Sequence, residues 1–285
     1  MKRRDFIKGL LALASFPIIA QSNANSYEAV EIFGDDPYKI TWKGLRAFGL
    51  KNVASRGDIV LVKPNIGWDR KPEQAADTNP LVVKAVVEAA YEAGAKKVFV
   101  FDNPCNAAKR TYYRSGIAKA AKEAGAEVIF LRDSHLVKQK IQGEFLKEWE
   151  VYRQALEVDR IINVPIVKHH SLAKATIGMK NLMGLIGGKR GYLHRQINTA
   201  IVDLSQFFKP FLVIVDAYRI LKAHGPQGGN LKDVELKKKL FITKDIVAAD
   251  YWGAKLLGLR EEEMKWVIEG KIRGLGKKQV KTLRI

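Results

Sequence analysis

Asp58-Ile-Val-Leu-Val-Lys-Pro64, an amphipathic stretch over 79–94, and Lys96-Lys-Val-Phe-Val-Phe-Asp102 together decide the fold. The two outer runs are β-branched and aromatic, and apolar at successive positions rather than alternate ones. A strand with one wet face alternates. A strand covered by helices on both faces does not, and parallel sheets are covered in that way. In the stretch between them Asn79 can cap a helix and Pro80 suits its first turn. Val82, Val83, Val86, Val87 and Ala90 then share one face, and Gly94 ends the pattern. Strand, helix and strand in this order form a right-handed βαβ unit.

The alternation continues outward. Further apolar runs lie at 127–131, 160–165, 211–216 and 240–243, with helical patterns at 117–124, 198–207, 248–257 and 261–269. Residues 25–45 read as a polar, mixed lead-in. The chain is therefore expected to be α/β. It should form an open, mostly parallel twisted sheet with helices on both faces, as one body or as two βαβ lobes. Residues 25–285 form a single domain on this reading.

The N-terminus reads Met1-Lys-Arg-Arg-Asp-Phe-Ile-Lys8. Arg3 and Arg4 followed by Phe6, Ile7 and Lys8 fit a twin-arginine signal, and the apolar stretch over 9–20 is shorter than the roughly 20 residues a bilayer span needs. Residues 1–24 are read as the signal, cut after Ala24, with an uncleaved anchor as the alternative. The twin-arginine translocase is then a partner, and the mature chain, with no transmembrane segment, is periplasmic or otherwise extracytoplasmic. The net charge of +19 favours anionic partners. The basic residues are dispersed, and no nucleic-acid motif or interleaved aromatics accompany them, so they read as a solvated surface rather than a nucleic-acid interface. Cys105 is the only cysteine, which excludes an intrachain disulfide and a chain-borne four-cysteine iron–sulfur cluster.

In open α/β sheets ligands sit beyond the carboxyl ends of the strands. Lys63 and Asn65 follow the first run, Asp102 the second, Lys168 and His170 the fourth and Asp216 the fifth. The densest stretch is 168–194, with Lys180, Asn181 and the cationic turn Gly187-Gly188-Lys189-Arg190-Gly191, read as a lid able to hold an anion. Adjacent His169 and His170 point to opposite sides of an extended chain, and His170 is favoured for the site. The expected roles are His170 for the proton, Asp102 and Lys180 beside it in catalysis, and Lys63, Asn65, Lys168, Asn181, Lys189 and Arg190 on the ligand. Asp216, Asp250 and His194 are candidates for a mixed nitrogen–oxygen metal site, although no standard zinc spacing is present. Cys105 reads as a buried, inert thiol.

Several motifs occur in a fixed order: Asp58 to Asn65, Thr78-Asn-Pro80, Val98 to Pro104, Ile162-Asn-Val-Pro-Ile-Val-Lys-His-His-Ser171, Lys180-Asn-Leu-Met-Gly184 with Lys189-Arg190, and Ala248-Ala-Asp250 with Leu256-Leu-Gly258. This set resembles the domain of unknown function 362 family over about 50–276. The resemblance implies site positions at Lys63, Asn65, Asp102, Lys168, His170, Lys180, Asn181, Asp216 and Asp250. It also implies an association with redox proteins, because many members carry ferredoxin-like modules. With one cysteine this chain departs from that pattern and would need a redox partner protein. Two functions stand open: an exported enzyme on a small anionic substrate, and a non-catalytic periplasmic binding or assembly factor for a cofactor or redox-complex subunit. The signal makes a direct prediction. Replacing Arg3 and Arg4 together with Lys should leave precursor in the cytoplasm, as followed by fractionation, and unimpaired export would refute the assignment.

Overall fold

A computed structural model describes residues 27–285, so the twin-arginine segment at 1–24 lies outside the described residues. The first half runs β1 (Ala29–Phe33), α1 (Pro37–Phe48), β2 (Ile59–Pro64), α2 (Pro80–Glu92), β3 (Lys97–Val100), α3 (Ala108–Arg114), α4 (Ile117–Glu123) and β4 (Glu127–Val128). There follow β5 (Leu136–Lys140), β6 (Glu148–Tyr152), β7 (Arg160–Val164), β8 (Ile166–His170), β9 (Lys174–Thr176) and α5 (Gly178–Asn181). The chain then forms α6 (Ile197–Phe208), β10 (Leu212–Leu221), β11 (Val234–Thr243), α7 (Ile246–Leu256), α8 (Lys265–Ile272) and β12 (Thr282–Arg284).

Among the described residues one continuous sheet orders its strands β12-β1-β11-β10-β7-β2-β3-β4, with β8 and β9 attached beyond β10. From β10 through β7, β2 and β3 to β4 every pairing is parallel, and Val62 sits level with both Val100 and Ile162. The doubly apolar runs are explained by the packing. Val60 and Val62 face a core shared with Ile40 and Leu45 of α1, Val82 and Val86 of α2, and Ile117 of α4. Leu61, between them, faces the opposite core with Ala200 and Ile201 of α6, Val247 of α7 and Trp266 of α8. Both faces are covered, and each fully buried Val or Leu contributes about 1.5–3 kcal/mol. No helix among the described residues is long and apolar enough to cross a membrane.

The sheet departs from expectation on its far side. The run at 240–243 is the end of β11, which is antiparallel to both β10 and β1. The segment between β10 and β11 holds only the three-residue 3-10 turn Leu231–Asp233 and no α-helix to carry a crossover, and so short a return runs antiparallel. The stretch expected as a lead-in is not one over its described residues, 27–45, either. They contain β1, an inner strand of the sheet, and α1, capped by Asp36, whose side chain accepts from the Tyr38 and Lys39 backbones at 2.9 and 3.1 Å. Strand β4 keeps only the first two residues of the expected 127–131 run. The β5–β6 hairpin alternates exposed and inward residues. It lies against the cationic turn through a bridge from Val151 to Ile186 and a 3.0 Å bond from Trp149 Nε1 to the Gly187 carbonyl.

The loop of this hairpin is tied down by Asp203 of α6, which is 1% exposed. Its carboxylate accepts from the Glu144, Phe145 and Leu146 backbones at 2.8, 2.9 and 2.8 Å and pairs with Arg273 at 2.5 Å. Removing it strands buried donors together with an arginine. Asp203→Ala should therefore cost about 3–5 kcal/mol in urea unfolding, whereas an exposed pair such as Lys97–Glu127 should cost under about 1 kcal/mol.

Candidate functional site

The carboxyl ends of β2 and β3 meet in a buried ion pair. Lys63 Nζ lies 2.8 Å from Asp102 Oδ1, with the lysine side chain 0% exposed. The ammonium has three donors and uses them all, since it also donates to the Pro64 carbonyl at 2.7 Å and to Asn181 Oδ1 at 3.2 Å. Asp102 is equally engaged: Oδ2 accepts from the Ile66 backbone at 2.6 Å and Oδ1 from Asn103 at 2.8 Å. Burial pulls the Lys63 pKa down and the Asp102 charge opposes it. Gly184 lies directly on this pair. A Cβ there would fall 1.6 Å from Asp102 Oδ1 and 2.7 Å from Lys63 Nζ, so close backbone approach requires glycine.

A polar network extends from the pair. Asn181 Oδ1 accepts from Asn65 Nδ2 at 2.9 Å, and Asn181 Nδ2 donates to Asn163 Oδ1 at 2.8 Å. Asn65 Oδ1 accepts from Lys168 Nζ at 2.9 Å, and that ammonium also reaches the Ala76 carbonyl at 2.5 Å. Asp77 lies near Lys168, and burial pushes its carboxyl up to about 7 against the opposing charge of Lys168. Burial likewise pulls Lys168 down to about 8, with Asp77 opposing. Asp77 Oδ1 accepts from the Gly67 and Trp68 backbones at 2.7 and 2.9 Å, while the buried Oδ2 has no partner among the described residues. Sequence reasoning missed Asp77. The available signal was its place at the head of Asp77-Thr78-Asn79-Pro80, whose next two residues bond to the end of β7 through the Val164 carbonyl and to the middle of β10 through the Asp216 carboxylate.

Above this floor is a cavity of about 660 Å³. Asn65, Asp102, Lys168 and Asn181 line its base, Lys180, His170 and His194 its wall, and Lys189, Arg190 and Cys105 its rim. Strand periodicity sets the histidines. Lys168 and His170 are two apart on β8 and line the cavity, while His169 turns away and accepts from the Gly225 backbone at 3.1 Å. His170 Nδ1 accepts from the Leu172 and Ala173 backbones at 3.2 and 3.1 Å. That nitrogen therefore carries no proton, and Nε2–H is a hydrogen-bond donor. Burial, with Lys180 and other positive groups adding to it, pushes His170 down to about 2, so the ring is neutral at ordinary pH. His194, with its ring 5.5 Å from that of His170, has the opposite tautomer: Nδ1 donates to the Gly191 carbonyl at 3.3 Å and leaves Nε2 as an acceptor. Burial and Lys180 hold its pKa below the usual histidine value.

Lys180 is unlike the other two lysines. Its ammonium contacts only the Met183 sulfur, at 3.6 Å, and forms no ion pair among the described residues. Burial, then the charge of Lys168, pull it down to about 7. Arg190 is anchored by bonds to the Asn103, Met183 and Pro104 carbonyls at 2.9, 3.3 and 3.3 Å.

Several expectations are revised by these positions. Lys63 does not line the cavity but neutralises Asp102 beneath its floor. The 187–191 turn leads into a 3-10 helix over Arg190–Gln196 rather than a free glycine lid. Cys105 is exposed at the rim and not buried. Asp216 is away from the cavity and accepts from the Asn79 and Tyr218 backbones at 2.7 and 2.9 Å. Asp250 is elsewhere again, bonded to Trp266 Nε1 at 2.7 Å and to the Met179 backbone at 3.2 Å. Burial raises both carboxyls, to about 6 and about 7. These two and His194 therefore do not assemble a metal site, and no group of three or more His, Cys, Asp and Glu side chains able to hold a metal occurs among the described residues.

The family described as Domain of unknown function (DUF362) matches residues 60–255. A thylakoid-associated protein of Synechocystis sp. is 27% identical over 212 residues, covering 71% of this chain and 64% of that protein. The chain thus spans less than two thirds of this relative's length. Among solved structures, the lactate racemase apoprotein from Thermoanaerobacterium thermosaccharolyticum matches with a TM-score of 0.52 at 12% identity, over 81% of this chain and 57% of that one. At that identity the likeness is one of fold.

The closeness of Gly184 to the ion pair yields a prediction. Gly184→Ala should lose about 3 kcal/mol in denaturant unfolding, through overpacking against two charged atoms that have no room to move. An alanine variant as stable as the parent would show that the pair does not lock this backbone.

Proposed function

This chain belongs to the domain of unknown function 362 family, and we propose that it is an enzyme that binds a small carboxylate in the strand-end cavity and moves a proton on it. The observation that carries this reading is the charge balance of the lining. Asp102 is neutralised by Lys63, and Lys168 lies in the field of Asp77, whereas Lys180, Lys189 and Arg190 have no carboxylate partner among the described residues. A half-enclosed cavity with uncompensated positive charge favours an anion. His170 Nε2–H offers the carboxylate a neutral donor, and His194 Nε2 is placed as proton acceptor. By its name the racemase acts on lactate, a small 2-hydroxy carboxylate, and only that ligand class is carried over to this chain. The volume leaves room for a tail along Trp68, Leu172 and Met183. The arginine pair at Arg3 and Arg4 supports a location outside the cytoplasm for this enzyme, where it would work beside a redox partner.

Calorimetric titration with propionate and with 2-hydroxy acids tests the site. Lys180→Met should weaken binding at pH 6 at least tenfold. In the parent protein, affinity should fall as the pH rises from about 7 upward, because a lysine whose pKa is lowered to about 7 is charged below that value and neutral above it. Proton NMR in deuterated water should then show exchange at C2 of a bound acid, lost in His194→Gln. Binding without any exchange would favour the binding or assembly factor instead.

A further inference from the structure

We infer that Lys180 is a nucleophilic amine that condenses with the carbonyl carbon of a 2-oxo carboxylate held in the cavity. This deepens the carboxylate reading and rests on it. The lysines of the site differ in what they are committed to. Lys63 spends all its donors on Asp102, Pro64 and Asn181, and Lys168 is held by Asn65 and the Ala76 carbonyl. Neither can leave without stranding a buried partner. Lys180 holds nothing together: it lines the cavity, and among the described residues its hydrogen-bond partner is a thioether sulfur, a weak acceptor. An amine in such a position does no structural work through its charge and is exposed to whatever occupies the cavity.

Nearby positive charge and burial are the two conditions that activate a lysine as a nucleophile, and both are met. Burial, then the charges of Lys168 and Arg190, lower Lys180 to about 7 against the opposing field of Cys105, so a large share is free amine at neutral pH. An exposed lysine, titrating near 10.4, presents less than about one part in a thousand as amine at that pH. In the condensation the Nζ lone pair forms a bond to the carbonyl carbon and the C=O π bond opens to a carbinolamine. The hydroxyl then leaves as water, taking the two hydrogens of the amine with it, and the C=N bond forms. One water is released and no oxidation state changes. His194 Nε2, an acceptor lining the same cavity, relays the proton from nitrogen to the departing oxygen. The substrate carboxylate stays with the positive rim and the His170 donor.

The test is reductive trapping of the full-length protein. It is incubated with pyruvate or glyoxylate and sodium cyanoborohydride, followed by intact-mass measurement and peptide mapping. A single adduct is expected, on Lys180, forming at pH 7 at least a hundredfold faster than on any other lysine. Its rate should rise about tenfold per pH unit below 7 and level off above, as the amine fraction does. Lys180→Met should abolish the adduct while keeping the parental unfolding transition, and Lys119→Met, on an exposed helix face, should leave it unchanged. The pH profile of the parent protein stands even if the Lys180 variant does not fold. Labelling spread over many lysines, or a Lys180 rate still climbing to pH 10, overturns the inference. Propionate binding without Lys180 labelling overturns it while leaving the carboxylate site standing. Failure of both removes the site and the inference together.

Discussion

The buried Lys63–Asp102 pair is the constraint on which the remainder of the site depends. Taking two charges out of water costs several kcal/mol each, and the pair survives only because every donor and acceptor around it is used. That saturation fixes geometry. It ties the end of β2 to the end of β3, binds Lys63 to Asn181 on the short helix α5, and permits only glycine at 184 where the chain passes over. The segment from Gly184 to His194 is thereby laid across the strand ends, and the cavity forms between it and the sheet.

Charge compensation separates support from chemistry. Within a few residues' reach the protein gathers several lysines, which in isolation would repel. Two are absorbed into the floor by Asp102, Asn65 and Asp77, and their burial makes them costly to disturb. The third, Lys180, projects where, among the described residues, no carboxylate answers it and its hydrogen-bond partner is the Met183 sulfur. The two histidines divide in a similar way. Backbone donors to His170 and a backbone acceptor at His194 impose opposite tautomers, so one ring offers a proton and its neighbour offers a lone pair.

The far half of the sheet makes this arrangement possible. β10 is long because it outlasts β7: after Val213 its partner changes from β7 to β8, past the break at Pro165. β8 and its antiparallel neighbour β9 stand above the carboxyl edge and carry Lys168 and His170 inward by simple alternation. An irregular loop at 166–170 would have left those side chains without a fixed direction; the extended strand gives them one.

The sequence by itself determined the parallel half of the fold, because burial on two faces and the Asn79-Pro80 helix start leave local signatures. It also determined which edge of the sheet carries the polar residues, since Lys63, Asp102, Lys168 and His170 follow apolar runs whose direction the crossover helix fixes. It placed His170 rather than His169 toward the site by periodicity alone. Tertiary structure decided the rest. Whether β11 returned parallel or antiparallel depended on the absence of a crossover helix, and the role of residues 29–48 depended on pairing between β11 and β12 that no local pattern reveals. Above all, sequence could group Lys63, Lys168 and Lys180 but could not rank them. Ranking requires knowing which ammonium meets a carboxylate across more than thirty residues of chain, and that pairing exists only once β2, β3 and α5 are packed together.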